Sequence, residues 1–255
     1  MSNVFETVSP VLIATTVTID NANTGCNMNS SLERLKLVRD RIEKACLMAG
    51  RQPDEVSLLA VSKRQPANKI ITFNELGIVS FGENQLQEAL RKQEELEGWD
   101  LQWHFIGTVQ SNKTRPIAEH FQWVQSVDRQ KILKRLSAQR PAAMGPLNVC
   151  LQVNIDREPQ KAGADPDDVL ALAEFAEGLD NIKLRGLMAL PRLTNIPSEQ
   201  HASFRNVRVL YDRLKLAGHE LDTLSIGMSS DLEIAIAEGS TMVRIGTDLL
   251  GKRPA

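Results

Sequence analysis

The feature that most constrains this chain is a repeated change of rhythm, in which short apolar runs alternate with longer amphipathic stretches. The apolar runs fall at 56–62, 79–83, 101–107, 123–128, 147–155, 182–190, 223–229 and 242–249, with helical patterns such as 85–97 and 167–178 between them. This is the pattern of βα units around a parallel sheet. Eight strands with flanking helices in roughly 220 residues predict an α/β fold, a single-domain (β/α)8 TIM barrel. A doubly wound open sheet is the structural alternative. No linker rich in Pro, Ser or Gly divides the pattern, so residues 31–255 read as one domain.

The chain has 255 residues, 42% of them hydrophobic, with 30 Lys and Arg against 32 Asp and Glu. A formal net charge of −2 gives no broad basic field for nucleic acid or anionic lipid, which leaves a small-molecule partner as the expectation. Cys26, Cys46 and Cys150 form no C-x-x-C pair, which fits a reducing, cytoplasmic setting. No run approaches the roughly 20 apolar residues that span a bilayer. The first basic residue is Arg34, so a signal or transit peptide is not expected.

Residues 1–30 are rich in Thr, Asn, Ser and Val and lack periodicity, and they read as a loose, disordered tail. Met28 is a candidate alternative start. A helix is expected from Ser31 to Gly50, capped by Ser30 or Ser31, with Leu32, Leu35, Val38, Ile42 and Ala45 on one face.

In such a barrel, chemistry sits at the C-terminal ends of the strands. Lys63 closes the first candidate strand against an apolar wall. Desolvation there frees an amine for attack on a carbonyl, whereas a lone strand-end lysine also snorkels to water. The segment Ser225-Ile226-Gly227-Met228-Ser229-Ser230-Asp231 runs into a helix near Leu232, which Ser229 and Ser230 are placed to cap. With the Gly246-Thr247 turn it makes a phosphate site after strands seven and eight. Arg244 should be enclosed in the barrel and needs a partner, either an acid such as Glu83 or Asp128 or a ligand acceptor. Asn84, His104 and Asn154 also fall at strand ends. The four histidines show no metal-ligand spacing, so no metal is expected. The basic residues Lys113, Arg115, Arg129, Lys131, Lys134 and Arg135 read as a solvated helix face.

The segments Ala60-Val61-Ser62-Lys63, Phe81-Gly82-Glu83-Asn84, 104–113, Arg185-Gly186-Leu187-Met188, 225–231 and Arg244-Ile245-Gly246-Thr247 occur here in one order. In them the chain resembles the YggS-type, or PROSC-type, pyridoxal phosphate homeostasis proteins over nearly all of 31–253. Departures are apolar for apolar: Ile226 for methionine, Val109 for leucine and Leu250 for phenylalanine.

The resemblance implies a barrel like the N-terminal domain of alanine racemase, with pyridoxal 5'-phosphate (PLP) held as an internal aldimine on Lys63. It implies phosphate contacts from Ser229, Gly246 and Thr247, a cleft shaped by Ser225 and Met228, and Arg244 at the pyridine nitrogen. Asn84, His104 and Asn154 would surround the ring. A guanidinium at that nitrogen weakens the ring as an electron sink. Racemases of this fold add a tyrosine base from a further β-domain, whereas Tyr211 lies in a helix between strands six and seven and the chain ends at Ala255. The expectation is a non-catalytic, monomeric PLP carrier in vitamin B6 homeostasis, with delivery to apo-enzymes as a further implied role. The alternatives are a PLP-dependent racemase or lyase that uses His104 or water as second base, and a cofactor-free Schiff-base aldolase.

Overall fold

The computed structural model describes residues 28–192 and 194–252. Eight parallel strands close into a barrel in sequence order: β1 (Ser57–Val61), β2 (Ser80–Glu83), β3 (Gln102–Phe105), β4 (Trp123–Val127), β5 (Leu147–Val153), β6 (Ile182–Ala189), β7 (Thr223–Ser225) and β8 (Met242–Ile245). Closure pairs Ser57–Ala60 with Met242–Ile245. The helices are α1 (Met28–Met48), α2 (Ala67–Glu75), α3 (Leu86–Glu95), α4 (Thr114–His120), α5 (Gln130–Gln139), α6 (Val169–Glu177), α7 (Pro197–Leu216), α8 (Leu232–Ala237) and α9 (Thr247–Leu250). Every expected strand is present and the single-domain TIM barrel is the observed fold, so the open-sheet alternative is set aside.

Strands covered on both faces read as near-continuous apolar runs. Their outward side chains, among them Ala60, Phe81, Phe105, Val124, Leu151, Leu187, Leu224, Val243 and Ile245, form one core with the helices. Arg244 alternates with Val243 and Ile245 and lies on the inner side, as its place in the strand requires.

Several boundaries differ from expectation. All the strands except β2 end earlier than their apolar runs. β7 stops at Ser225 because Gly227, at φ 98°, turns the chain, and the expected eighth strand becomes α9 at Thr247. Ile226 and Leu249 are buried beyond those ends, so apolarity alone does not mark them. Helix α1 already runs from Met28, so Ser30 and Ser31 lie inside it instead of capping it, and Met28–Ser30 are helical. The remainder of the expected tail, residues 1–27, lies outside the described residues. Leu35, Val38, Ile42 and Ala45 bury their side chains as expected, whereas Leu32 is exposed. Burial of Leu35, Val38 and Ile42 contributes about 1.5–3 kcal/mol each and fixes α1 against α8 and α9. The basic cluster lies along α4 and α5 and on the residues just before them, Lys113 and Arg129; Arg115 pairs with Glu119 and Arg129 with Asp128.

Between β5 and β6 the register shifts at Val149/Cys150, opposite Gly186. Gly186 has φ 149°, and a Cβ there would be built onto the Thr223 carbonyl oxygen. Gly186→Ala is therefore expected to destabilise the barrel by more than about 1 kcal/mol, measured as a lower denaturation midpoint.

Candidate functional site at the barrel mouth

Lys63 follows β1 by two residues and is half-buried. Its neighbours on both sides are held. Ser62 donates Oγ to Glu83 Oε1 at 2.7 Å, and its carbonyl oxygen accepts from Lys92 Nζ at 2.8 Å. Lys92 also donates to Glu83 Oε1 (2.6 Å) and Glu88 Oε1 (2.7 Å), so its ammonium meets three acceptors. Arg64 takes φ 58° and gives its N–H to Glu88. Burial pushes the Glu83 carboxyl upward, opposed by the Lys92 charge and by the bonds from Lys92 and Ser62. Glu83 therefore pairs with Lys92 and Asp128 with Arg129, and neither is the partner of Arg244.

The partners of Arg244 are neutral. NH1 donates to the Ser225 carbonyl oxygen and, at 2.8 Å, to Ser225 Oγ, while NH2 donates to the Ala189 carbonyl oxygen at 2.9 Å. Burial lowers the Arg244 pKa to about 10, against the opposing pull of Asp231, so the side chain remains cationic at neutral pH. Ser225 Oγ donates to Gln125 Oε1 at 2.7 Å, and Gln125 Nε2 lies 2.9 Å from His104 Nδ1. An amide nitrogen only donates, so Nδ1 accepts and Nε2 carries the proton, 3.2 Å from Gln102 Oε1. His104 is wholly buried and stacks on Trp123 with centroids 5.0 Å apart. Burial, reinforced by Arg185, lowers its pKa to about 3.

The two small-residue turns lie where expected. Met228 N–H donates to the Asp231 carboxylate and Asp231 N–H to the Met228 carbonyl oxygen at 3.2 Å; neither bond uses the N–H of Ser229 or Ser230. The N-cap of α8 is Asp231, not Ser229 or Ser230, because the buried Asp231 closes this turn. Gly246 packs on the end of β1, where a Cβ would lie 3.6 Å from the Val61 carbonyl oxygen. Thr247 starts α9 beside it.

The structure thus joins Ser225, Arg244 and His104 in one hydrogen-bonded chain and sets Gly246-Thr247 against the strand that leads to Lys63. Asn84 is half-buried after β2. The Asn154 side chain is committed to its own loop, donating to the Glu158 carbonyl oxygen at 2.8 Å and accepting from Glu158 N–H at 3.1 Å. Gln125, Lys92 and Gln102 were missed by the sequence reading. Gln125 carries a signal, a lone amide inside an apolar strand, and Lys92 lies on the α3 stripe of Leu86, Ala89 and Leu96. Of the described residues, no group of three His, Cys, Asp or Glu is placed to hold a metal ion, and no helix is long and apolar enough to cross a membrane.

The alanine racemase N-terminal domain family matches residues 34–254. The chain is 56% identical over 226 residues to the pyridoxal phosphate homeostasis protein of Pseudomonas aeruginosa, covering 89% of this chain and 97% of that one. It is 47% identical over 223 residues to the protein of the same name from Haemophilus influenzae, covering 86% and 94%. The structure of PipY from Synechococcus elongatus PCC7942 with PLP bound superposes with a TM-score of 0.76 at 38% identity, over 87% of this chain and 100% of that one.

Two outcomes follow from the buried groups. Lys92→Met leaves Glu83 buried without its cation and is expected to cost about 3–5 kcal/mol in chemical denaturation. His104 titrates at about 3 when folded and at about 6.5 when unfolded, so unfolding takes up a proton between those values. It contributes stability above pH 6.5 that is lost as pH falls toward 3, with a slope of up to about 1.4 kcal/mol per pH unit. Nitrogen NMR of the ring should accordingly show the neutral Nε2–H form from pH 8 to 5; an imidazolium signal at pH 5 would contradict it.

Proposed function

The chain belongs to the pyridoxal phosphate homeostasis protein family, and from that membership we propose that it binds PLP reversibly at the barrel mouth, through the Lys63 amine. The observation that carries this reading is the donor set there: an anchored lysine, two turns bearing Ser229 and Thr247, and a buried cationic Arg244. The donors fit a phosphorylated aldehyde. Asp231, the acid within the first turn, is occupied by Met228 N–H, so its charge is already engaged. When bound, the cofactor supplies an aldehyde that condenses reversibly with amines.

In this reading Ser229, Gly246 and Thr247 hold the phosphate with hydroxyl and backbone N–H donors. Ser225 and Met228 wall the cleft, and Asn84 borders it. Arg244 opposes protonation of any ring nitrogen brought beside it. His104 supports Arg244 through Gln125 and Ser225, and Asn154 shapes the rim by organising loop 154–158.

A non-catalytic role in PLP homeostasis is supported by the state of the two candidate second bases among the described residues, His104 and Tyr211. His104 has a pKa of about 3 and both ring nitrogens engaged. Tyr211 is buried on α7, and burial pushes its phenol to about 12. Reversible attachment at Lys63 suits handing PLP to apo-enzymes, and the proposal includes a monomer acting in the cytoplasm.

The test is absorption spectroscopy with borohydride trapping and peptide mapping. A reduced pyridoxyl group on Lys63 is expected, absent from Lys63→Ala, which should retain weaker phosphate-mediated binding. Unchanged affinity in Lys63→Ala would overturn the attachment, and sustained turnover of a labelled amino acid by the loaded protein, lost in the same variant, would overturn the non-catalytic role.

A further inference from the structure

The mouth is tied from outside by a side chain that belongs to none of the βα units. Arg41 on α1 donates Nε to Glu233 Oε1 at 2.7 Å and NH2 to Glu233 Oε2 at 3.0 Å, both on α8. Its NH1 reaches Asp248 Oδ2 on α9 at 2.8 Å, and NH2 also reaches the Ser229 carbonyl oxygen at 2.8 Å. One planar guanidinium therefore touches the turn after β7 and the residue that follows Thr247.

We propose that Arg41 is a positioning residue for the phosphate site, setting the separation of the Ser229 turn from the Gly246-Thr247 turn and offsetting the carboxylates behind them. The inference rests on the reading of these two turns as the phosphate site.

Three observations carry it. First, α8 and α9 have only 6 and 4 residues, too short to hold a position without tertiary support. Second, α1 is a rigid anchor, because Val38, Ile42 and Ala45 on either side of Arg41 are buried. Third, burial raises the Glu233 carboxyl, but the bond and charge of Arg41 together with a bond from the Glu233 N–H outweigh it and leave the carboxyl low, so Glu233 stays ionised. Without Arg41, Glu233 and Asp248 would stand as two uncompensated negative charges beside a bound dianion. A lysine at 41 restores the charge but lacks the planar fork that spans three partners.

The test compares PLP with pyridoxal, which has the same ring and aldehyde but no phosphate, on the full chain, alongside thermal unfolding. Arg41→Gln should weaken PLP on the order of tenfold or more, the range seen for residues that stand behind ligands, and leave pyridoxal within about twofold. Arg41→Lys, which keeps the helix and the charge and so covers the case in which Arg41→Gln does not fold, should show an intermediate loss specific to PLP. Equal losses for the two ligands would overturn the inference in favour of a general structural role. Unchanged PLP affinity in Arg41→Gln, or full recovery in Arg41→Lys, would overturn the three-way tie. Wild-type protein that does not prefer PLP over pyridoxal would overturn the phosphate reading itself, an outcome distinct from a wild-type preference that Arg41→Gln leaves intact.

Discussion

A guanidinium enclosed in a barrel of eight strands is the interaction on which the rest of the site depends. Taking such a charge out of water costs several kcal/mol unless its donors are met. Here Arg244 is met by two carbonyl oxygens and a hydroxyl. An acid in their place would have cancelled the charge, whereas neutral acceptors hold the group and leave its field intact. Each further member then follows from the one before. Ser225 Oγ accepts from Arg244 and so must donate elsewhere, which requires the Gln125 oxygen. The Gln125 nitrogen then requires an acceptor, which only one tautomer of His104 provides.

The two sides of the mouth are organised by different physics. Around Arg244 the contacts are neutral, directional and deep. Around Lys63 they are ionic: Lys92 gathers Glu83, Glu88 and the Ser62 carbonyl oxygen, and Glu88 takes the Arg64 N–H. The left-handed backbone at Arg64 is not a conformation a long side chain adopts unaided, and that N–H bond holds it there. Lys63 is thus presented between two pinned residues.

Much of this was legible in the sequence because parallel strands with two covered faces leave continuous apolar runs, and all eight could be read. Their ends could not, since Ile226 and Leu249 are as buried in turns and helix as they would be in strands. Strand-end polar residues marked the mouth, and the order of motifs marked the family. What escaped was anything set by tertiary contact. Lys92 looks like half of a surface pair with Glu88, four residues earlier, until α3 is laid on β2. Leu32 fits the helical stripe but falls beyond the neighbours that α1 covers. Arg41 is one more charge on a charged helix, and nothing local announces that its partners lie 188 to 207 residues away.

That separation has a consequence for synthesis. Strand β1 pairs with β8, and α1 reaches α8 and α9, so the earliest-made of the described elements are completed by the latest-made. Contacts of such long range form late, after their loop-closure entropy has been met. A nascent chain therefore carries Lys63 for most of its elongation without the turns at 229 and 247, without Arg244 and without barrel closure. The proposed phosphate site is thus not beside the Lys63 amine until residues 229 and 247 have been made. The proposed capture of a reactive aldehyde would in this way be confined to the finished barrel, by the order in which the polypeptide is made.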